Sequence, residues 1–341
     1  MRGTDVENWW IYQGVGAPHA GILRLPVPPP WRVFDGGPPV APRDGVDSGV
    51  PRRLGDHRRA VTYRPRTPEL ELINAALYLR RPLLVTGKPG TGKSTLAYAV
   101  AHELALGPVL RWPITSRSTI QQGLYDYDAI GRLREASLSA QAVGSDEIDI
   151  GHYLTLGPLG TALLPYEQPR VLLIDEIDKS DIDLPNDLLN IFEEGEYTIP
   201  ELRRMAATQP DVEVRTADGG QVGLRGGQVR CRAFPFIVLT SNGEREFPPA
   251  FLRRCLQLDL HEPDPEQLAK IVEAHLGPDA HAASEDLIER FVSRRNSGAL
   301  ATDQLLNAIY LTSAAAVESG MGREQLADVI LRHIESDADG A

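Results

Sequence analysis

The chain has 341 residues, 35 Lys and Arg against 47 Asp and Glu for a formal charge of −12, and is 42% hydrophobic. That is ordinary globular composition, long enough for a sizeable core and for about two domains, and its acidic balance argues against a general duplex-DNA coat. Cys231 and Cys255 lie without metal-ligand spacing, which excludes a disulfide framework or zinc ribbon; no secretory signal opens MRGTDVENWW, and no apolar run nears the ~20 residues of a membrane span, so a soluble cytoplasmic protein is expected.

Residues 1–66 stand apart, with 11 of the 27 prolines falling before residue 70. The segment offers too little apolar surface to offset chain entropy and reads as a largely extended or disordered arm. Its aromatic islands, 9–12 and 31–34, either pin the arm to the body or dock a partner. Six arginines between Arg52 and Arg66 form a positive stretch, read as a solvated linker or as a contact for nucleic acid or a neighbouring subunit.

From 67 to 261 the pattern is α/β. Apolar, β-branched runs at 82–86, 109–112, 170–174, 236–240 and 256–260 read as buried strands alternating with helical stretches, which implies a doubly wound parallel sheet. After the first strand comes Gly87-Lys88-Pro89-Gly90-Thr91-Gly92-Lys93-Ser94, a G-x-x-x-x-G-K-[ST] loop opening a helix predicted over 95–106. Its glycines let backbone N–H groups converge on one point, to which the helix N-terminus adds about half a positive charge. In that context Lys93 reaches the β- and γ-phosphates, Ser94 ligates Mg²⁺, and Thr95 completes the nucleotide-binding set.

The strand at 170–174 ends in Asp175-Glu176, at the edge where such sheets bind ligands. Asp175 then holds Mg²⁺ and Glu176 polarises the attacking water, unless the two acids only cap a helix. Asp178 and Lys179 read as the following turn or helix start. Residues 262–341 read as an all-helical unit, with four amphipathic stretches at 266–276, 285–295, 302–317 and 323–334.

With Lys93 and Asp175-Glu176 in place, the chain resembles an AAA+ ATPase over 67–320, most of all the MoxR family. The run 188–199 is similar to the helix and strand that follow the Walker B acids in that branch. The strand 236–240 with Ser241-Asn242 resembles sensor 1, so Asn242 would orient water or report on the γ-phosphate; the alternative is a plain Asn-Gly turn. The segment 247–255 is similar to an arginine-finger segment, which implies Arg254, with Arg253 as the alternative, in the neighbouring subunit's site. Insertions at 119–160 and 196–233 resemble the helix 2 insert and the hairpin before sensor 1. No arginine occupies the sensor 2 position at 299–304, and Arg294 or Arg295 stands nearby.

The resemblance implies a P-loop NTPase sheet of strand order 5-1-4-3-2 with a C-terminal helical lid. It implies ATP and Mg²⁺ as cofactors, a homo-oligomeric ring, a hexamer, and remodelling of a protein client such as one with a von Willebrand factor A-type domain. Membrane or nucleic-acid partners are not expected. The alternatives are a slowly hydrolysing ATP-gated switch in a bacterial conflict system, or a DNA-dependent motor.

Overall fold

The computed structural model describes residues 9–41, 63, 65–139, 149–277, 284–295, 300, 302–314 and 330. Residues 52–62 of the arginine stretch, the middle of the first insertion at 140–148, and the helix read over 323–334, Ile330 apart, lie outside the described residues.

In chain order the strands are β1 (Leu83–Thr86), β2 (Leu110–Pro113), β3 (Tyr125–Tyr127), β4 (Leu154–Leu156), β5 (Val171–Asp175), β6 (Glu196–Thr198), β7 (Asp211–Arg215), β8 (Gln221–Arg225), β9 (Gln228–Arg230), β10 (Phe236–Ser241) and β11 (Leu256–Asp259). Five of them form the central sheet, in the order β11-β1-β10-β5-β2, and every neighbouring pair is parallel.

The strands at its centre are apolar on both sides because both faces are covered. Leu83, Val85, Val171, Leu173, Phe236 and Val238 turn to one core, where the helices Thr67–Leu79 and Lys93–Glu103 pack. Their alternates Leu84, Leu172, Ile174, Ile237 and Leu239 turn to a second core with the helix Leu184–Glu194. The period of two in the strands thus divides one apolar run between two layers. The helix predicted from Thr95 begins two residues earlier, at Lys93, because Gly92 at φ +91° turns the chain into it; Ala105 at φ +52° lies just beyond its end.

The two insertions meet. β3 and β4 from the first and β7 and β8 from the second make one four-stranded sheet, joined where Thr155 pairs with Arg215. The hairpin turn at 216–220 is tied to the base of β5 by Arg170. The Nη1 and Nη2 of this fully buried side chain each lie 3.0 Å from Asp218 Oδ2. Beyond β11, the helices Pro265–Leu276, Glu285–Arg295 and Thr302–Ala314 enclose a separate small core around Leu268, Phe291 and Leu305.

Residues 9–41 run over the body with two short 3₁₀ turns, Ala20–Arg24 and Pro30–Arg32. Of the first aromatic island, Ile11 and Tyr12 are buried in the core while Trp9 is largely outside it. Two interior polar side chains receive the arm. Asn74 Oδ1 accepts from the N–H of Ile11 (2.7 Å) and Tyr12 (2.9 Å), and its amide donates to the Tyr12 carbonyl (2.8 Å). The carboxylate of the fully buried Glu103 accepts from the N–H of Gln13, Gly14 and Gly16. Asn74→Ala removes the hydrogen bonds that this side chain makes to the arm, so stability should fall by about 2–3 kcal/mol. Trypsin should also cut the arm at Arg24 faster, and an unchanged cleavage rate would refute the clamp.

Candidate active site

The loop after β1 is shaped by glycine where nothing else fits. Gly87 sits at φ +144°, and a Cβ there would lie 2.5 Å from the Leu260 carbonyl. The helix Lys93–Glu103 starts without a side-chain cap, which leaves its first N–H groups facing the loop. Lys93 Nζ donates to the carbonyls of Gly87 (2.6 Å) and Lys88 (2.8 Å). Burial pulls its pKa below the usual lysine value, against the opposing pull of Asp178, Glu176 and Asp175.

The structure brings Ser94 and Asp175 together. Asp175 Oδ1 accepts from Ser94 Oγ (2.7 Å) and Thr240 Oγ1 (2.8 Å), and Oδ2 accepts from Arg111 Nη2 (2.6 Å) and Nε (3.2 Å). Burial pushes this carboxyl up, but the donors from Ser94, Arg111 and Thr240 outweigh it, and the group stays ionised below the ordinary range. A hydroxyl and a carboxylate side by side are the hard oxygen donors that suit Mg²⁺, so this pair fits the metal the sequence implies.

Glu176 follows in the left-handed region, φ +62° and ψ +51°, a conformation costing a non-glycine residue about 1–2 kcal/mol. Its N–H donates to Thr240 Oγ1 at 2.8 Å, and its carboxylate accepts from Lys179 Nζ at 2.7 Å. It stands before the 3₁₀ turn Ile177–Lys179 yet makes no capping bond with its side chain. Helix capping therefore does not account for the acid at this position.

Three residues of the site escaped the sequence reading. Arg111 was visible only as a charge inside an apolar strand, and Thr240 only as a polar residue closing one. Asp178, read as part of a turn, is buried, and its Oδ2 accepts from the N–H of Asn242 (2.8 Å) and Glu244 (3.2 Å). It thereby fixes the loop that carries Asn242 past the end of β10, between β1 and β5 in the sheet.

Arg254 is not part of this cluster. It precedes β11, which runs parallel to β1 with Leu256 opposite Leu83, whereas the glycine loop follows the other end of β1. The four residues of β1, about 13 Å, separate the two edges. Arg254 therefore faces away from its own glycine loop, half-buried, with Nε 2.7 Å from Glu193 Oε1, while Arg253 beside it is exposed. Arg295 is engaged near the root of the three-helix unit, where Nη1 donates to the Pro263 carbonyl (2.8 Å) and Nε lies 3.9 Å from Glu262.

Residues 82–255 match a family model described as the AAA domain of the dynein-related subfamily. No curated protein matches the chain at a significant level.

Proposed function

Because the chain belongs to the AAA domain family, in its dynein-related subfamily, and so carries a P-loop NTPase unit, we propose that it is a MoxR-like ATPase. In this reading it binds and hydrolyses ATP with Mg²⁺ in a ring of like subunits, a hexamer, and uses the cycle to remodel a protein client. The observation that carries the reading is the convergence of Ser94 and Thr240 on Asp175 beside the glycine loop, with Glu176 next in the chain.

The geometry supports these roles. Lys93 exchanges its two loop carbonyls for phosphate oxygens, and the N–H groups of the uncapped helix start add their dipole. Ser94 and Asp175 would hold Mg²⁺, which neutralises charge on the phosphates when bound. Glu176 accepts a proton from water that Asn242 helps to orient. Arg254, turned from its own loop, serves the site of the next subunit, where such a group is worth about 10³–10⁵ in turnover. The helices beyond β11 act as the lid. Exposed Ile130 and Leu133 on the insertion helix Ala129–Ser139 support a protein client, such as one with a von Willebrand factor A-type domain.

ATPase activity measured against protein concentration tests this. Below the assembly threshold it should rise more steeply than in proportion, since each site needs a second chain. Strict proportionality from a species shown to be monomeric would refute the trans arrangement.

A second reading, a slowly turning ATP-gated switch, is favoured by one feature. Lys93, Asp175 and Glu176 are each engaged within the chain, by loop carbonyls, Arg111 and Lys179 respectively. Single-turnover hydrolysis of pre-bound ATP separates the two readings, because a switch stalls after binding.

A further inference from the structure

The N-terminal arm reaches the edge of the sheet where Arg254 lies. There the helix Leu184–Glu194 ends, with Gly195 at φ +63° just past it. A helix end leaves carbonyls without intrahelical donors. Arg32 of the arm supplies them: Nη1 donates to the carbonyls of Phe192 (2.7 Å) and Glu193 (3.3 Å). Its other nitrogens serve a second helix end, with Nη2 and Nε donating to the Arg80 carbonyl at 2.6 and 3.2 Å. The guanidinium is buried against the stacked rings of Phe34 and Phe234, 5.0 and 4.5 Å from their centres. Such a planar, multiply held cation is a rigid support.

The side chain of Glu193 stands between two arginines. Oε2 lies 3.6 Å from Arg32 Nη1, and Oε1 lies 2.7 Å from Arg254 Nε. The Nε–H of Arg254 points off the line to that oxygen, so the contact is a charge pair without an aligned hydrogen bond. Arg254 Nη1 donates to the Ala250 carbonyl at 3.2 Å, while Nη2 has no hydrogen-bond partner among the described residues. The guanidinium is gripped at its inner edge and left open at its tip.

We infer that Glu193 is a positioning residue for hydrolysis at the adjoining subunit's site, with the arm as its support: Arg32 holds the backbone of Glu193 and attracts one carboxylate oxygen, and the other aims Arg254 outward. This rests on the trans role of Arg254 proposed above. Neutralising Glu193 frees the guanidinium to sample other rotamers, which slows chemistry without touching nucleotide binding in the same chain.

Steady-state kinetics on the full chain test it. Glu193→Gln, at a half-exposed side chain, should lower kcat on the order of 10- to 100-fold with KM for Mg·ATP within about twofold. Arg254→Ala should lose about 10³ or more, and the double variant should be no slower than Arg254→Ala alone. Arg32→Lys, which keeps the charge and loses the fork, should show a smaller kcat deficit in the same direction.

Mixing supplies a readout that a purely structural role would not move. Glu193→Gln chains combined with Lys93→Ala chains, which keep an intact Glu193, should recover rate per intact glycine loop severalfold. If Arg254→Ala is inactive and Glu193→Gln turns over normally, the inference is wrong and the trans role stands. If mixing brings no recovery, the defect lies within one chain and the inference is likewise wrong. If Arg254→Ala itself turns over normally, the trans role falls and the inference falls with it. A wild-type kcat for Arg32→Lys would remove the arm from the arrangement.

Discussion

Glu176→Gln should bind ATP with an affinity within about threefold of the parent chain while single-turnover hydrolysis falls about 10²–10⁴-fold, the range for loss of a general base. The substitution keeps the shape of the side chain and removes its charge and its capacity to take a proton. Glu176 is held independently of its carboxylate, because its N–H is bonded to Thr240 Oγ1 at 2.8 Å. Its left-handed backbone should therefore survive the change. Lys179 loses its ionic partner, which stands in solvent and contributes little to stability. A turnover within about threefold of the parent would remove Glu176 from the chemistry.

The largest stability effect is expected at the other end of the same strand. Asp218→Ala leaves Arg170, fully buried, without its carboxylate, and loss of one partner of a buried pair costs about 3–5 kcal/mol. Arg170 retains the Pro108 carbonyl (3.1 Å) and the Tyr166 ring, neither of which balances its charge. At about 2–4 °C per kcal/mol the thermal midpoint should drop on the order of 10 °C.

The loss should depend on pH in a definite direction. Burial pushes the Asp218 carboxyl up, but the Thr216 hydroxyl and Arg170 outweigh it and hold it below the ordinary carboxylate value. A carboxyl whose folded pKa is depressed stabilises the fold above its unfolded pKa, about 3.9, and ceases to do so as pH falls through the folded value. The gap between parent and Asp218→Ala should therefore be full at pH 7 and narrow below about pH 4. A gap of the same size at pH 3 would assign the loss to packing.

Much of the catalytic edge could be read from local pattern. The three central strands announce themselves because double coverage makes each a nearly unbroken apolar run, the edge strands 110–113 and 256–259 are marked only by alternate apolar residues, and the ends move by only a residue in the structure: 109–112 becomes Leu110–Pro113 and 170–174 becomes Val171–Asp175. The glycine loop is equally plain, since its φ values leave little choice of residue. What local pattern does not carry is pairing across distance. Arg111 meets Asp175 from 64 residues away, and the arm is clasped by Asn74 and Glu103 across intervals of 62 to 90 residues. Both clasping side chains sit on helices whose apolar spacing reads normally. In the proline-rich arm itself the two aromatic islands mark where it is held, through Ile11, Tyr12 and Phe34, but not which side chains of the body hold it. Glu193 was likewise one acid among several at a helix end, and its two cationic neighbours come from residues 32 and 254.

The seam between the insertions has a mechanical consequence. A tug on either insertion strains the ribbon they share at Thr155 and Arg215, and the Arg170–Asp218 rivet delivers that strain to the foot of β5. The strand spans about 17 Å from Arg170 to Asp175 and, being fully extended, has no slack to absorb a pull. In the proposed ATPase reading, cargo load and phosphate chemistry would therefore hang on opposite ends of one taut cable.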